Sequence, residues 1–267
     1  MNISASRQAT IHAEDAAVSI PVSKRESWDK RAQYFSRHAA ATGYAGAFIK
    51  IIQTFRSWTV LDMACGAGTI AVPIAKKVRS VTAVDPSKEI LNVVEGRCRI
   101  GGITNVKTIQ GCWDDDWDRL GIGIHDVAVA SRSLVADNAK DSIAKLDRSA
   151  RKAVYISMAV GSGPLDKKLF ESTGRKLDTD RDYIYYYTIL HEMGIMANVA
   201  FIPEYRRNNW KNHEEALEDH RWMFNGMTKN EEDKVRAYLK RNLVPVLKHW
   251  RLPYSRDCHW AVMWWIK

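Results

Sequence analysis

The sequence is sparing with the residues that build covalent staples and metal sites. Its four cysteines, Cys65, Cys98, Cys112 and Cys258, stand far apart, with no CxxC pair among them. Such spacing suggests neither a disulfide framework nor a zinc site. His191-Glu192-Met193-Gly194-Ile195 opens like a zinc-protease helix, but Ile195 stands where the second histidine belongs. No metal is expected. Long apolar runs are missing too: none approaches the ~18 residues that a membrane span requires. Residues 1–20 carry Glu14 and Asp15 and no apolar signal core. The expectation is a cytoplasmic chain without a membrane partner. A continuous basic stripe is also lacking, despite a net charge of +9. Residues 61–203 are close to neutral, and the excess lies in 1–60 and 204–256, where basic residues are mixed with Glu214, Glu215, Glu218, Asp219, Glu231, Glu232 and Asp233. A phosphate-tracking surface would not be so interrupted, which lowers a nucleic-acid partner without excluding it.

What is present is concentrated in Thr59–Leu91. Val60, Leu61, Met63 and Ala64 form an apolar run too short for a helix, broken by Asp62 and closed by Cys65-Gly66-Ala67-Gly68. This reads as a buried strand that ends in a tight turn. Ile70, Ala71, Ile74, Ala75 and Val78 then recur at helical spacing, with Pro73 tolerable if the helix starts near Gly68 or Thr69. Ser80-Val81-Thr82-Ala83-Val84 is a second strand, ended by Asp85-Pro86. The unit is strand, glycine turn, helix, strand, acid.

Glycines 66 and 68 let a ligand approach bare backbone, and Asp85 ends the next strand where a ribose diol would lie. Gly66-x-Gly68-x-x-Ala71 also satisfies the dinucleotide fingerprint, so a nicotinamide or flavin enzyme has to be weighed. Asp62 argues against it. A carboxylate facing the turn would repel a pyrophosphate but suits a ligand with an ammonium group.

Asp62-x-Ala64-x-Gly66-x-Gly68 followed by Asp85 resembles the first two motifs of class I S-adenosylmethionine-dependent methyltransferases. Ala64 departs from the glycine usual there, a change that costs little if φ stays negative. The resemblance implies an α/β fold: a Rossmann-like, mostly parallel seven-stranded sheet with helices on both faces. It implies S-adenosylmethionine as cofactor, held by Asp62, Ala64, Gly66, Gly68, Asp85 and Pro86. By the same likeness the end of a third strand, at Trp113 and Asp114, would hold the adenine, while Asp115 and Asp116 read as a solvated acidic turn. A helix over 26–38 would cap the pocket, with Tyr34 as the contact.

Asp126–Ala130 is an apolar fourth strand, with Ser131-Arg132-Ser133-Leu134 at its carboxyl end, where open α/β sheets bind ligands. Ser131 is therefore placed at the cofactor site. Ser131, Tyr155 and His38 are candidate bases, although no catalytic residue stands out; His125, at the far end of the strand, reads as structural. Ala153–Met158, Ala197–Ile202 and Trp260–Ile266 supply the remaining strands.

The expected organisation is a tail over 1–22, the cofactor domain over 23–206 and 257–267, and a small helical insertion over 207–256 between the last two strands. The insertion carries Trp210, Trp222, Met223, Phe224 and Trp250, more aromatic surface than so small a unit can hide within itself. It is expected to cover the substrate or to form a homodimer contact. The SRSL sequence after the fourth strand lacks the DPPY-like tetrad of amino-base methyltransferases. A small-molecule acceptor is therefore the leading expectation. RNA or protein methylation, and a non-catalytic S-adenosylmethionine-binding protein, are the alternatives.

Overall fold

The computed structural model describes residues 43–267 other than positions 135, 137, 178, 207 and 225. The capping helix expected over 26–38, with Tyr34 and His38, lies outside the described residues.

Seven strands share one sheet: β1 (Thr59–Met63), β2 (Ser80–Asp85), β3 (Val106–Gln110), β4 (His125–Ser131), β5 (Ala150–Ala159), β6 (Asn198–Arg206) and, last in the chain, β9 (Arg256–Ile266). Their spatial order is β3-β2-β1-β4-β5-β9-β6. β9 runs antiparallel to both β5 and β6, while the β1–β2, β1–β4, β2–β3 and β4–β5 pairs are parallel. This is the mostly parallel α/β sheet that the sequence implied. Order reverses between β1 and β4, so a crevice opens at their carboxyl ends.

The alternation of side chains along each strand decides what the two faces bury. Val60, Val81, Ala83, Val127, Val129, Ala153 and Tyr155 face α1 (Tyr44–Ile51), α2 (Ala71–Ala75) and α3 (Lys88–Ile100). Leu61, Met63, Ala128, Ala130, Val154 and Ile156 face α4 (Ala139–Arg148) and α6 (Tyr183–Glu192). Each fully buried Val, Leu or Ile contributes roughly 1.5–3 kcal/mol. Both faces being covered, the central strands read as continuous apolar runs rather than alternating ones.

Between β6 and β9 the chain forms α7 (His213–His220), a 3₁₀ turn at Arg221–Met223, α8 (Lys229–Asn242) and a hairpin of β7 (Val244–Val246) with β8 (His249–Arg251). Thr228 and Glu231 close the capping box that opens α8. The insertion is thus not wholly helical, because Pro245, which ends the helical pattern, sits in the hairpin. Its aromatic surface has a partner within this chain. Trp210, Met223 and Phe224 are buried in a third core with Leu169 and Phe170 of α5 (Lys167–Thr173), and Phe224 stacks on Phe170 at 4.5 Å. The Arg175 guanidinium grips the Glu231 carboxylate at 2.6 and 2.8 Å, tying α8 to the segment after α5.

Candidate active site

The turn after β1 is built from left-handed backbone. Gly66 and Gly68 have φ of 53° and 74°, and Ala64 has φ of 52°. The expectation that alanine would be cheap at 64 is therefore corrected: its φ is positive, a conformation that costs an L-residue roughly 1–2 kcal/mol. A Cβ on Gly68 would come within 2.8 Å of Val72 Cγ2, so glycine is what lets the turn pack on α2. A Cβ on Gly66 would meet nothing within 4 Å. The backbone there faces open space. Cys65 N donates to the Val84 carbonyl across to β2, and the Arg97 guanidinium donates to the Ala67 carbonyl. The turn is pinned from two sides. α2 itself is five residues long, with Pro73 inside it where no intrahelical donor is lost.

Two carboxylates meet at this turn. Asp85, at the end of β2, accepts from Gly66 N at 2.9 Å and from Ser87 N at 3.0 Å. It thereby joins the glycine turn to the start of α3, which Ser87 caps. Asp62 is 1% exposed and its Oδ2 has no hydrogen-bond partner. Burial pushes its carboxyl up to about 7, the Asp85 charge adds to the rise, and a hydrogen bond from the Ala71 amide opposes it. Burial beside the same two acids drives the Cys65 thiol well above its usual range, which removes it as a nucleophile and leaves it a packing residue.

At the end of β3, Trp113 is buried and its indole N–H donates to the Ser133 carbonyl at 3.0 Å, linking this loop to the turn after β4. Pro86 accepts from the Gln110 amide through its carbonyl. Asp114 is exposed. A depression of about 250 Å³ beside Trp113 and Asp114 is lined by Asn138, Asp141, Ser142 and Lys145 of α4 and its cap, and by none of the glycine-turn residues. Asp115 and Asp116 are not merely solvated acids. Asp115 accepts from Cys112 N, and Asp116 accepts from Asp118 N and Arg119 N, so both shape the loop.

Ser131 lies at the carboxyl end of β4, turned toward α1. Its hydroxyl is 2.8 Å from the Tyr44 hydroxyl, which is 2.6 Å from Ser157 Oγ on β5. The next residue, Arg132, has φ of 59°; its amide donates to the Ser157 carbonyl and hydroxyl, both at 3.0 Å. Its guanidinium lies 4.1 Å from the Tyr44 ring centre and 5.1 Å from that of Trp260, with Nη1 3.6 Å from Glu204 Oε2. Glu204 is buried and accepts from the Trp260 indole N–H at 2.6 Å. Sequence reasoning missed Tyr44, Ser157, Glu204 and Trp260, whose partners are remote in the chain. Tyr155, a candidate base, is instead a mid-strand core residue that accepts from Gln53 N and stacks on Trp264. His125 sits at the amino end of β4 against Thr82.

Residues 60–152 match a family described as a methyltransferase domain. That stretch spans Asp62, the glycine turn and Asp85, so the likeness falls on the candidate site itself. An uncharacterized protein of Haemophilus influenzae is 28% identical over 242 residues, covering 89% of this chain and 88% of that protein. An uncharacterized RNA methyltransferase of Streptococcus mutans is 31% identical over 124 residues, 45% of this chain but only 27% of that protein. Among solved structures, the YcgJ protein of Bacillus subtilis superposes with a TM-score of 0.54 at 14% identity, over 86% of this chain and 98% of that one. A putative methyltransferase of Bacillus halodurans superposes with a TM-score of 0.57 at 15% identity, over 84% of this chain and 98% of that one. No helix among the described residues is long and apolar enough to cross a membrane.

The glycine turn has features that fit the S-adenosylmethionine implied by the sequence resemblance. Asp62 leaves one buried carboxylate oxygen without a hydrogen-bond partner, and the Gly66 backbone has open space where a side chain would be.

Proposed function

We propose that this protein is an S-adenosylmethionine-dependent methyltransferase that serves a small-molecule acceptor, with the cofactor seated across the carboxyl ends of β1, β2 and β4. In this reading Asp62 takes the ammonium group, Asp85 the ribose, the backbone of Ala64, Gly66 and Gly68 the bare surface between them, and Pro86, Trp113 and Asp114 the adenine edge. Ser131 lies beside the reacting end. When bound, the cofactor supplies an electrophilic methyl on a sulfonium. The chain's part is to align the acceptor and exclude water.

The observation that carries the cofactor assignment is the unpaired, buried Asp62 Oδ2. The choice of acceptor rests on charge. In the insertion, Arg221 is paired with Glu218 and Glu232, and Arg236 with Glu214 and Glu232. Cations so engaged are poor phosphate trackers. RNA is the second reading, favoured by the net charge of +9 and by the likeness to the Streptococcus mutans protein.

The test is label transfer. The protein, methyl-labelled cofactor and a bacterial extract are incubated together, and small molecules, RNA and protein are then separated. Label is expected in the small-molecule pool. Label in RNA or protein alone would refute the acceptor class. Asp85→Ala is expected to weaken S-adenosylhomocysteine binding by about 1–3 kcal/mol, the usual cost of losing hydrogen bonds to a charged group.

A further inference from the structure

The end of β4 presents donors without acceptors. Arg132 Nη1 faces Glu204 at 3.6 Å, too far for a hydrogen bond. The guanidinium has five N–H donors, and none makes a hydrogen bond among the described residues. Its side chain is 20% exposed and is held between two aromatic rings, so it is neither free to swing into water nor satisfied where it stands. The backbone that presents it is left-handed, which a non-glycine residue adopts at a cost.

Ser131 adds to this. The Arg132 amide donates into Ser157 Oγ at 3.0 Å, and the chain continues through Tyr44 to Ser131. With its inner end supplied by an amide, Ser157 can donate to Tyr44 and Tyr44 to Ser131. In that order the Ser131 hydroxyl keeps its own proton free for an outside acceptor. Tyr44 and Ser157 are buried, whereas Ser131 is half-buried and accessible. Adjacent residues thus offer a hydroxyl donor and a cationic fork at the carboxyl edge of the sheet.

We propose that Ser131 and Arg132 anchor the methyl acceptor through an oxyanion, and that the acceptor is a small molecule bearing a carboxylate or a phosphate. The inference rests on the small-molecule reading above. Glu204, fixed by the Trp260 indole, is a positioning residue that holds one edge of the guanidinium, while Nη2 and Nε face the acceptor group. A planar fork matches either oxyanion with paired hydrogen bonds, which a lysine cannot reproduce.

The experiment applies the full-length protein and methyl-labelled cofactor to the low-molecular-mass fraction of a bacterial extract, and passes the products over an anion exchanger at pH 7. The labelled product is expected to be retained. Alkaline phosphatase treatment of the fraction beforehand separates the two oxyanions: lost label marks a phosphate, and unchanged label a carboxylate. With the retained acceptor, Arg132→Met is expected to raise KM about 30-fold while S-adenosylhomocysteine affinity stays within about twofold of the parent. Arg132→Lys should recover only part of that loss. Labelled small molecules in the flow-through overturn this inference and leave the small-molecule reading standing, whereas label confined to RNA or protein overturns both. An Arg132→Met variant that melts earlier but keeps its KM also overturns it, since the residue would then be a structural partner of Glu204 alone.

Discussion

In the proposed reading, Asp62 makes cofactor binding pH-dependent with a slope that its raised carboxyl fixes. Burial and the neighbouring Asp85 raise its carboxyl to about 7, so near neutrality the ligand-free protein is a mixture of protonated and ionised forms. Only the ionised form attracts an ammonium group, and a bound ammonium stabilises that form in turn. Binding below pH 7 must therefore expel a proton, and affinity falls as pH falls. At pH 6 about nine-tenths of the sites hold the proton, which weakens binding roughly tenfold relative to pH 8, or about 1.4 kcal/mol. S-adenosylhomocysteine keeps its own charge over this range, so the slope belongs to the protein. Isothermal titration at pH 6, 7 and 8, in buffers of differing ionisation enthalpy, measures both the affinity and the proton released. Asp62→Asn should bind weakly at every pH and show no slope. An equal affinity at pH 6 and 8 in the parent would refute the placement of Asp62 opposite the ammonium group.

Two further outcomes concern stability. Ala64→Gly relieves a left-handed alanine but loosens the unfolded chain, and the balance is a gain of roughly 0.5–1 kcal/mol, seen as a melting temperature about 2 °C higher; a lower one would mean the alanine methyl has a packing role. His220 is fully buried, donates from Nδ1 to the Ala216 carbonyl and has no partner at Nε2; burial first, then the Arg256 charge, hold it down to about 4. Between pH 6.5 and 4 the unfolded chain takes up a proton that the fold refuses, so stability declines by about 1.4 kcal/mol per pH unit, roughly 3 kcal/mol in all. Urea midpoints at pH 7, 6 and 5 should fall in the parent more steeply than in His220→Gln, and parallel slopes would dismiss the assignment.

The sequence by itself determined the frame of the molecule because that frame is local. The run Val60–Met63, the glycines at 66 and 68 and the β-branched strand ending at Asp85 are neighbours in the chain, and their conformational preferences are written in their residue types. The apolar strands were legible for the same reason. The sign of φ at Ala64 was not, since it depends on how the turn is pinned to β2 and α3. Nor was the partner of the insertion's aromatic residues, because Leu169 and Phe170 lie in an earlier connection.

Tertiary structure alone decided the polar cluster at the end of β4. Tyr44 lies 87 residues from Ser131 and 113 from Ser157, and nothing in an apolar helix marks one tyrosine as the link between two strands. Arg132 and Glu204 meet only because β9 is inserted between β5 and β6, bringing Trp260 beside both. A charge's partner is set by strand order, which no periodicity encodes.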